Sequence, residues 1–157
     1  MQETQVEIKF LDEELYVVEG GFQPPQYATE GSAAVDLRSA ENALVLPGKT
    51  LLIKTGIAIS ILNNAVCAMI LPRSGLGSRG LVLGNTVGLI DSDYQGELLL
   101  TAYNRLRDSA SDAIEIRRGD RIAQMVFVPV YRASWAAVKE FAVESARNIQ
   151  GFGSTGV

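Results

Sequence analysis

The sequence predicts an all-β domain, a barrel or sandwich of many short strands, and three observations predict it. Apolar residues alternate with a period of two, glycine and proline interrupt these runs at short intervals, and no helical pattern exceeds about two turns. ALVLPGKTLLIKTGIAISI reads as strand, Pro47-Gly48 turn and strand, with a further turn open at Gly56. CAMILP, GELLLTAYN, AIEI and RIAQMVFVPV read as strands in the same way. RRGD, through Gly119-Asp120, is expected to join AIEI to RIAQMVFVPV as a tight hairpin. Helix signals are confined to SWAAVKEF and a short turn in SGLGSRG, so a single short helix at most is expected. The tail QGFGSTGV is too polar and glycine-rich to pack, and is expected to move.

Composition narrows the function. With 157 residues, 47% hydrophobic and 20% charged, the chain suits one globular domain with its own core. Its 14 basic and 18 acidic residues give a net charge of −4 and no dense basic run, so nucleic acid is a poor partner. No apolar run approaches the roughly 20 residues that cross a bilayer, and MQETQVEIKF is not expected to be a secretory signal. Cys67 is the single cysteine, set in AVCAMIL; it reads as a core residue and suits a reducing cytoplasm. Histidine is absent, which excludes Ser-His-Asp triads, Cys-His pairs and His-ligated zinc. Acid–base chemistry near neutrality then falls to carboxylates, tyrosine, lysine or a metal-bound water.

Three stretches could carry chemistry. GLIDSDYQGE places Asp91, Asp93 and Tyr94 together, with Asp91 and Asp93 on one face if the strand continued. It reads either as a solvated turn bent at Gly96, or as a carboxylate base for water beside a flat ring for a base or sugar. PRSGLG follows an apolar strand and combines cationic and hydroxyl donors with glycines that admit close backbone approach. It reads as a plain loop or as a phosphate cradle, though not a Walker loop, since no Gly-Lys-Ser/Thr follows. GFGSTG reads as a free terminus or as a lid whose Phe152 stacks on a base.

In order, AAVDL, PRSGLG, GLIDSDYQGE, RGDRIAQMV and GFGSTG resemble the five motifs of the trimeric dUTP pyrophosphatases (dUTPases), and LVLGNTVGLIDSDYQGELL resembles their bacterial and phage branch. The match runs from Ala33 to Gly156. The resemblance implies a jelly-roll-like β-barrel over residues 1–146 with a lid over 147–157, assembled as a homotrimer whose shared active sites draw on three chains. It implies cytoplasmic, Mg²⁺-dependent hydrolysis of dUTP to dUMP and pyrophosphate, which keeps uracil out of DNA and supplies dUMP for dTMP synthesis. Neither a nucleic-acid nor a membrane partner is expected.

The resemblance also implies roles. Asp91 would orient and deprotonate the attacking water, and Tyr94 would pack on the deoxyribose and exclude a 2′-hydroxyl. Asn85, with the neighbouring Gly88 and Ile90, would read uracil. Arg73, Ser74, Gly75 and Gln124 would meet the phosphates. Asp36 and Arg121 would support them, with Asp36 and Gln124 in the outer shell of a Mg²⁺ held by the triphosphate. Arg147, Gly153 and Ser154 would close on the γ-phosphate while Phe152 stacks on uracil. The sequence departs from the family pattern at Ala34, where glycine is usual, at Asn148 and Gln150 in the tail, and in a shorter loop after PRSGLG. Activity is expected to survive all three. A dCTP deaminase would share the fold, and a nucleotide-sensing regulator would share the pocket. The intact DSDYQGE and GFGSTG segments favour hydrolysis over both.

Overall fold

Alternating apolar residues in a glycine-punctuated chain have to bury one face of each strand, and they do so here between two sheets. The computed structural model describes residues 3–106, 112–143 and 145. One sheet holds strands β1 (Val6–Phe10), β6 (Thr50–Ile61), β10 (Glu97–Asn104) and β8 (Leu81–Leu83), in the order β1-β6-β10-β8. The other holds β4 (Val35–Arg38), β12 (Arg121–Pro129), β7 (Val66–Pro72) and β9 (Gly88–Ile90), in the order β4-β12-β7-β9. Two small pairs, β5 (Ala43–Val45) with β11 (Ile114–Ile116) and β2 (Val17–Val18) with β3 (Gly21–Phe22), complete a jelly-roll-like barrel. Neighbours in both large sheets are antiparallel.

One core joins the two sheets. Ile53, Ile57, Leu98 and Leu100 meet Leu37, Ala68, Ile70, Ala123 and Met125, all nearly or fully shielded from solvent. Cys67 is a free thiol in this buried layer, as its apolar neighbours lead one to expect. Three buried polar side chains pair with backbone carbonyls or amides, which removes the penalty of burying them. Thr55 donates to Leu98, Asn104 donates to Val45 and Asp112, and Ser39 donates to Glu41.

Four local expectations are revised. Two short helices form among the described residues, α1 (Glu13–Tyr16) and α2 (Ser74–Ser78), one more than the pattern suggests. Asp12 caps α1 by accepting from Leu15, which a four-residue span hides from periodicity. SWAAVKEF is not helical; it lies in an irregular, strandless run after β12. Gly56 does not turn the chain: β6 passes through it at φ 72°, beside a register irregularity in β10 between Glu97 and Leu99. RRGD does turn tightly, with Asp120 donating to the Arg117 carbonyl and Gly119 at φ 90°. Yet β11 and β12 pair elsewhere, with β5 and with β4 and β7, so the turn crosses between sheets and makes no hairpin. The tail beyond residue 146, including the expected lid, lies outside the described residues.

Candidate active site

At the C-terminal end of β7, Pro72 stops the ladder and the chain enters α2 through Arg73. Arg73 Nε lies 2.7 Å from Asp36 Oδ1, and Arg121 donates to the other Asp36 oxygen at 3.3 Å. Arg73 also donates to the Arg121 carbonyl at 3.0 Å, and Gln124 to the Pro72 carbonyl at 3.0 Å. The sheet explains the grouping, because Gln124 sits opposite both Asp36 on β4 and Leu71 on β7. One carboxylate against two guanidiniums leaves this corner net positive, and the fork geometry of arginine suits phosphate oxygens. Ser74 and Gly75 open α2, where a helix start leaves N–H groups without an intrahelical acceptor. A side chain built at Gly75 would meet nothing within 4 Å, so that approach is open. Asp36, Arg73, Arg121 and Gln124 are thereby grouped at one corner, with Ser74 and Gly75 following Arg73 in the chain.

Asn85, Gly88, Ile90, Asp91 and Tyr94 form a second group. The chain turns sharply between β8 and β9: Thr86 donates to the Leu83 carbonyl and Val87 to the Asn85 carbonyl. The Asn85 amide nitrogen lies against Gly88, 3.7 Å from where a side chain there would begin, and the tighter neighbour of that position is the Ile70 Cβ at 3.2 Å. No described residue bonds the Asn85 side chain. Ile90 closes β9 against Ala68 and packs on the core. Asp91 then leaves the sheet exposed to solvent, with its carbonyl accepting from the Tyr94 amide. The strand does not continue, so Asp91 and Asp93 do not share a face; Asp93 lies instead with Ser92, Asn63 and Asn64 around a separate surface hollow. Tyr94 folds back and donates to the Glu97 carbonyl at 3.0 Å. A side chain at Gly96 would start 2.5 Å from the Tyr94 hydroxyl, so Gly96 serves the ring as well as the bend.

Asp91 and Arg73 stand at opposite ends of one sheet, whereas Asn85, which precedes Gly88 on the antiparallel strand, lies toward the Arg73 end. Gly88 pairs with Ile70 and Ile90 with Ala68, which sets Asp91 level with Cys67, six residues before Arg73 on β7. At ~3.3 Å per residue the gap is about 20 Å. A cleft of about 830 Å³ is lined by Arg73, Arg79, Arg117 and Arg121, by the carboxylates of Asp112, Glu115 and Asp120 and by apolar neighbours, and does not reach Asp91. Arg147, Phe152, Gly153 and Ser154, like Asn148 and Gln150, lie outside the described residues. Ala34 carries no backbone strain, since the positive φ that glycine would favour is absent there. Sequence reasoning missed Thr86, at φ 62° the single non-glycine residue with positive φ among the described residues. Only its place between Asn85 and Gly88 could have signalled it.

The fold and the two groups define a class: an all-β, jelly-roll-like protein with an arginine-flanked loop at one sheet end and a carboxylate–aromatic strand exit at the other. A dUTPase family model matches residues 22–156, and the chain belongs to the dUTPase family. It is 50% identical over 155 residues to a deoxyuridine 5′-triphosphate nucleotidohydrolase of Francisella philomiragia, covering 97% of this chain and 99% of that protein. A Francisella tularensis subsp. holarctica enzyme of the same name is 51% identical over 156 residues, covering 98% and 99%. Among solved structures, the Staphylococcus bacteriophage 80alpha dUTPase with bound dUPNHPP superposes at TM-score 0.86 with 28% identity, covering 98% of this chain and 99% of that one. That phage protein is described as controlling transfer of virulence genes. A mutant dUTPase from phage phi11 of S. aureus, at TM-score 0.77 and 25% identity over 88% of this chain and 99% of that one, is described with a structural Mg(II) ion.

Proposed function

We propose that this dUTPase cleaves dUTP to dUMP and pyrophosphate by in-line attack of a water held by Asp91 on the α-phosphorus. One observation carries the reading: β9 is preceded by an amide, Asn85, that no described residue bonds, and is followed by an exposed carboxylate, Asp91, with Tyr94 just beyond. The three steps along the chain from Gly88 to Asp91 span about 10 Å, a length over which a nucleoside can present its base at one end and its phosphate at the other. Asn85 reads the uracil edge, and a wrong edge leaves buried polar groups unpaired. Tyr94 stacks on the deoxyribose where a 2′-hydroxyl would collide. Asp91 takes the proton of the attacking water, and fixing that water supplies much of the rate, so histidine is not needed. Arg73, Ser74, Gly75 and Gln124 hold the phosphates, with Asp36 and Arg121 keeping Arg73 in place. Arg147, Phe152, Gly153 and Ser154 close the tail over the nucleotide.

Attack requires the reacting atoms about 3 to 3.5 Å apart, which a gap of about 20 Å within one chain does not allow. The phosphate cradle of one subunit therefore serves the Asp91 of another. The run after β12 supports the same reading, because Trp135 is 92% exposed and Phe141 89%, apolar surface that a partner would cover. We read the assembly as a homotrimer with shared sites.

Mg²⁺ fits as a passenger on the triphosphate. No three acidic or cysteine side chains are grouped to hold a metal among the described residues, and both Asp36 oxygens already face arginines. Asp36 and the Gln124 amide oxygen would meet its water shell, and when bound it screens the charge of the departing pyrophosphate. A cytoplasmic setting suits the unpaired Cys67, and no helix among the described residues is long and apolar enough to cross a membrane. Pyrophosphate release should be measured across the deoxynucleoside triphosphates with and without Mg²⁺. The expected result is release from dUTP alone and only with Mg²⁺. Equal release from dCTP or dTTP, or ammonia from dCTP, would overturn the reading.

A further inference from the structure

Thr86 occupies a conformation that a β-branched residue avoids. Its φ of 62° places it in the left-handed region, where its side chain crowds the backbone. With Val87 donating to the Asn85 carbonyl at 2.7 Å, Thr86 is the centre of a three-residue turn of the rare, strained hand. The Thr86 hydroxyl donates to that same carbonyl at 2.6 Å. Both acceptor positions of the Asn85 carbonyl are thereby filled, which fixes the Asn85 backbone and leaves its side-chain amide as the free polar group. That amide lies against Gly88, its nitrogen 3.7 Å from where a side chain there would begin. Glycine or asparagine would form this turn with less strain, so ease of folding does not explain a threonine here. Strain retained beside a ligand-reading group points to function.

Resting on the nucleotide reading above, we propose that Thr86 is a positioning residue for base selection. Its strained turn and hydroxyl clamp hold the Asn85 amide over Gly88, where it meets the pyrimidine edge. Thr86 itself touches no reacting atom, so its loss acts on affinity and discrimination before it acts on turnover.

Three variants test this against dUTP and dCTP. Thr86→Gly relieves the strain and removes the clamp; its KM for dUTP should rise about 10-fold, with kcat changing less than about 3-fold. The preference for dUTP over dCTP should narrow by a similar factor while Tm stays level or rises, an outcome that a merely structural role does not give. Thr86→Ala should lose affinity likewise, and Thr86→Ser, which restores the hydroxyl, should recover most of the loss. Unchanged KM and discrimination in both Thr86→Gly and Thr86→Ala would overturn the proposal. Asn85→Ala separates the two readings. If Asn85→Ala loses affinity while the Thr86 variants do not, the role of Thr86 alone falls. If Asn85→Ala binds dUTP unaltered, or the wild type does not hydrolyse dUTP, the nucleotide reading falls and this inference with it.

Discussion

The two ends of the β4-β12-β7-β9 sheet differ in how far one chain completes them. At the Arg73 end, Asp36, Arg73, Arg121 and Gln124 hold one another through ion pairs and carbonyl contacts, all anchored on paired strands. At the Asp91 end, the carboxylate stands exposed after the strand has stopped. A charged cradle needs its counter-charge at once, because guanidiniums crowded together repel. In the proposed mechanism, a carboxylate base gains from staying uncommitted until substrate and a neighbouring chain surround it. On the proposed reading, the finished half-site would preorganise binding, and the bare half-site would keep its reactivity for the assembly.

The largest effect should come from the bare end. Asp91→Asn should lower kcat at least about 100-fold with nucleotide affinity largely kept; wild-type turnover would remove Asp91 from the mechanism. The same variant tests the division between chains. Mixed and reassembled with a poorly active Arg73→Ala variant, it should recover roughly a quarter of wild-type activity, from hybrid sites that combine the two intact ends. No recovery would place both ends of a site on one chain. Next in size, Asp36→Asn frees Arg73 and Arg121 from their anchor and should raise KM about 10-fold with a smaller change in kcat. An equal fall in kcat alone would mean that Asp36 acts on the chemistry. Smaller still, Tyr94→Ala should raise UTP turnover relative to dUTP several-fold, on the order of 5-fold; an unchanged ratio would move sugar selection elsewhere.

The smallest effect concerns the barrel beneath both ends. Burial pushes the Tyr16 hydroxyl from an ordinary 10.0 up to about 12, and it donates to the Thr55 carbonyl at 2.8 Å. The folded state therefore holds this proton more tightly than the unfolded chain. Its contribution to stability is complete below pH 10.0 and is lost as pH rises toward about 12. Melting curves across that window should fall for the wild type and flatten for Tyr16→Phe. An identical slope in both would assign alkaline unfolding to other groups.

Much of this was legible in the chain itself. Strands β6, β7, β10 and β12 announce themselves because one buried face imposes a period of two, and Cys67 is buried because its neighbours are apolar. The residues of the cradle and of the strand exit were nameable as motifs, because arginines, glycines and carboxylates at fixed spacing carry chemistry wherever the fold puts them. Other features were hidden. RRGD looks the same whether its flanking strands pair with each other or with distant partners, and SWAAVKEF has helical spacing yet leaves Trp135, Val138 and Phe141 exposed among the described residues. The sequence by itself determined the β-class, the family motifs and which groups can react, since these follow from side-chain type and local periodicity. Only the tertiary structure decided that Asp91 and Arg73 face opposite ends of a sheet and that Thr86 bears strain beside Asn85. Both depend on strand register, which non-local pairing sets and no short stretch of residues encodes.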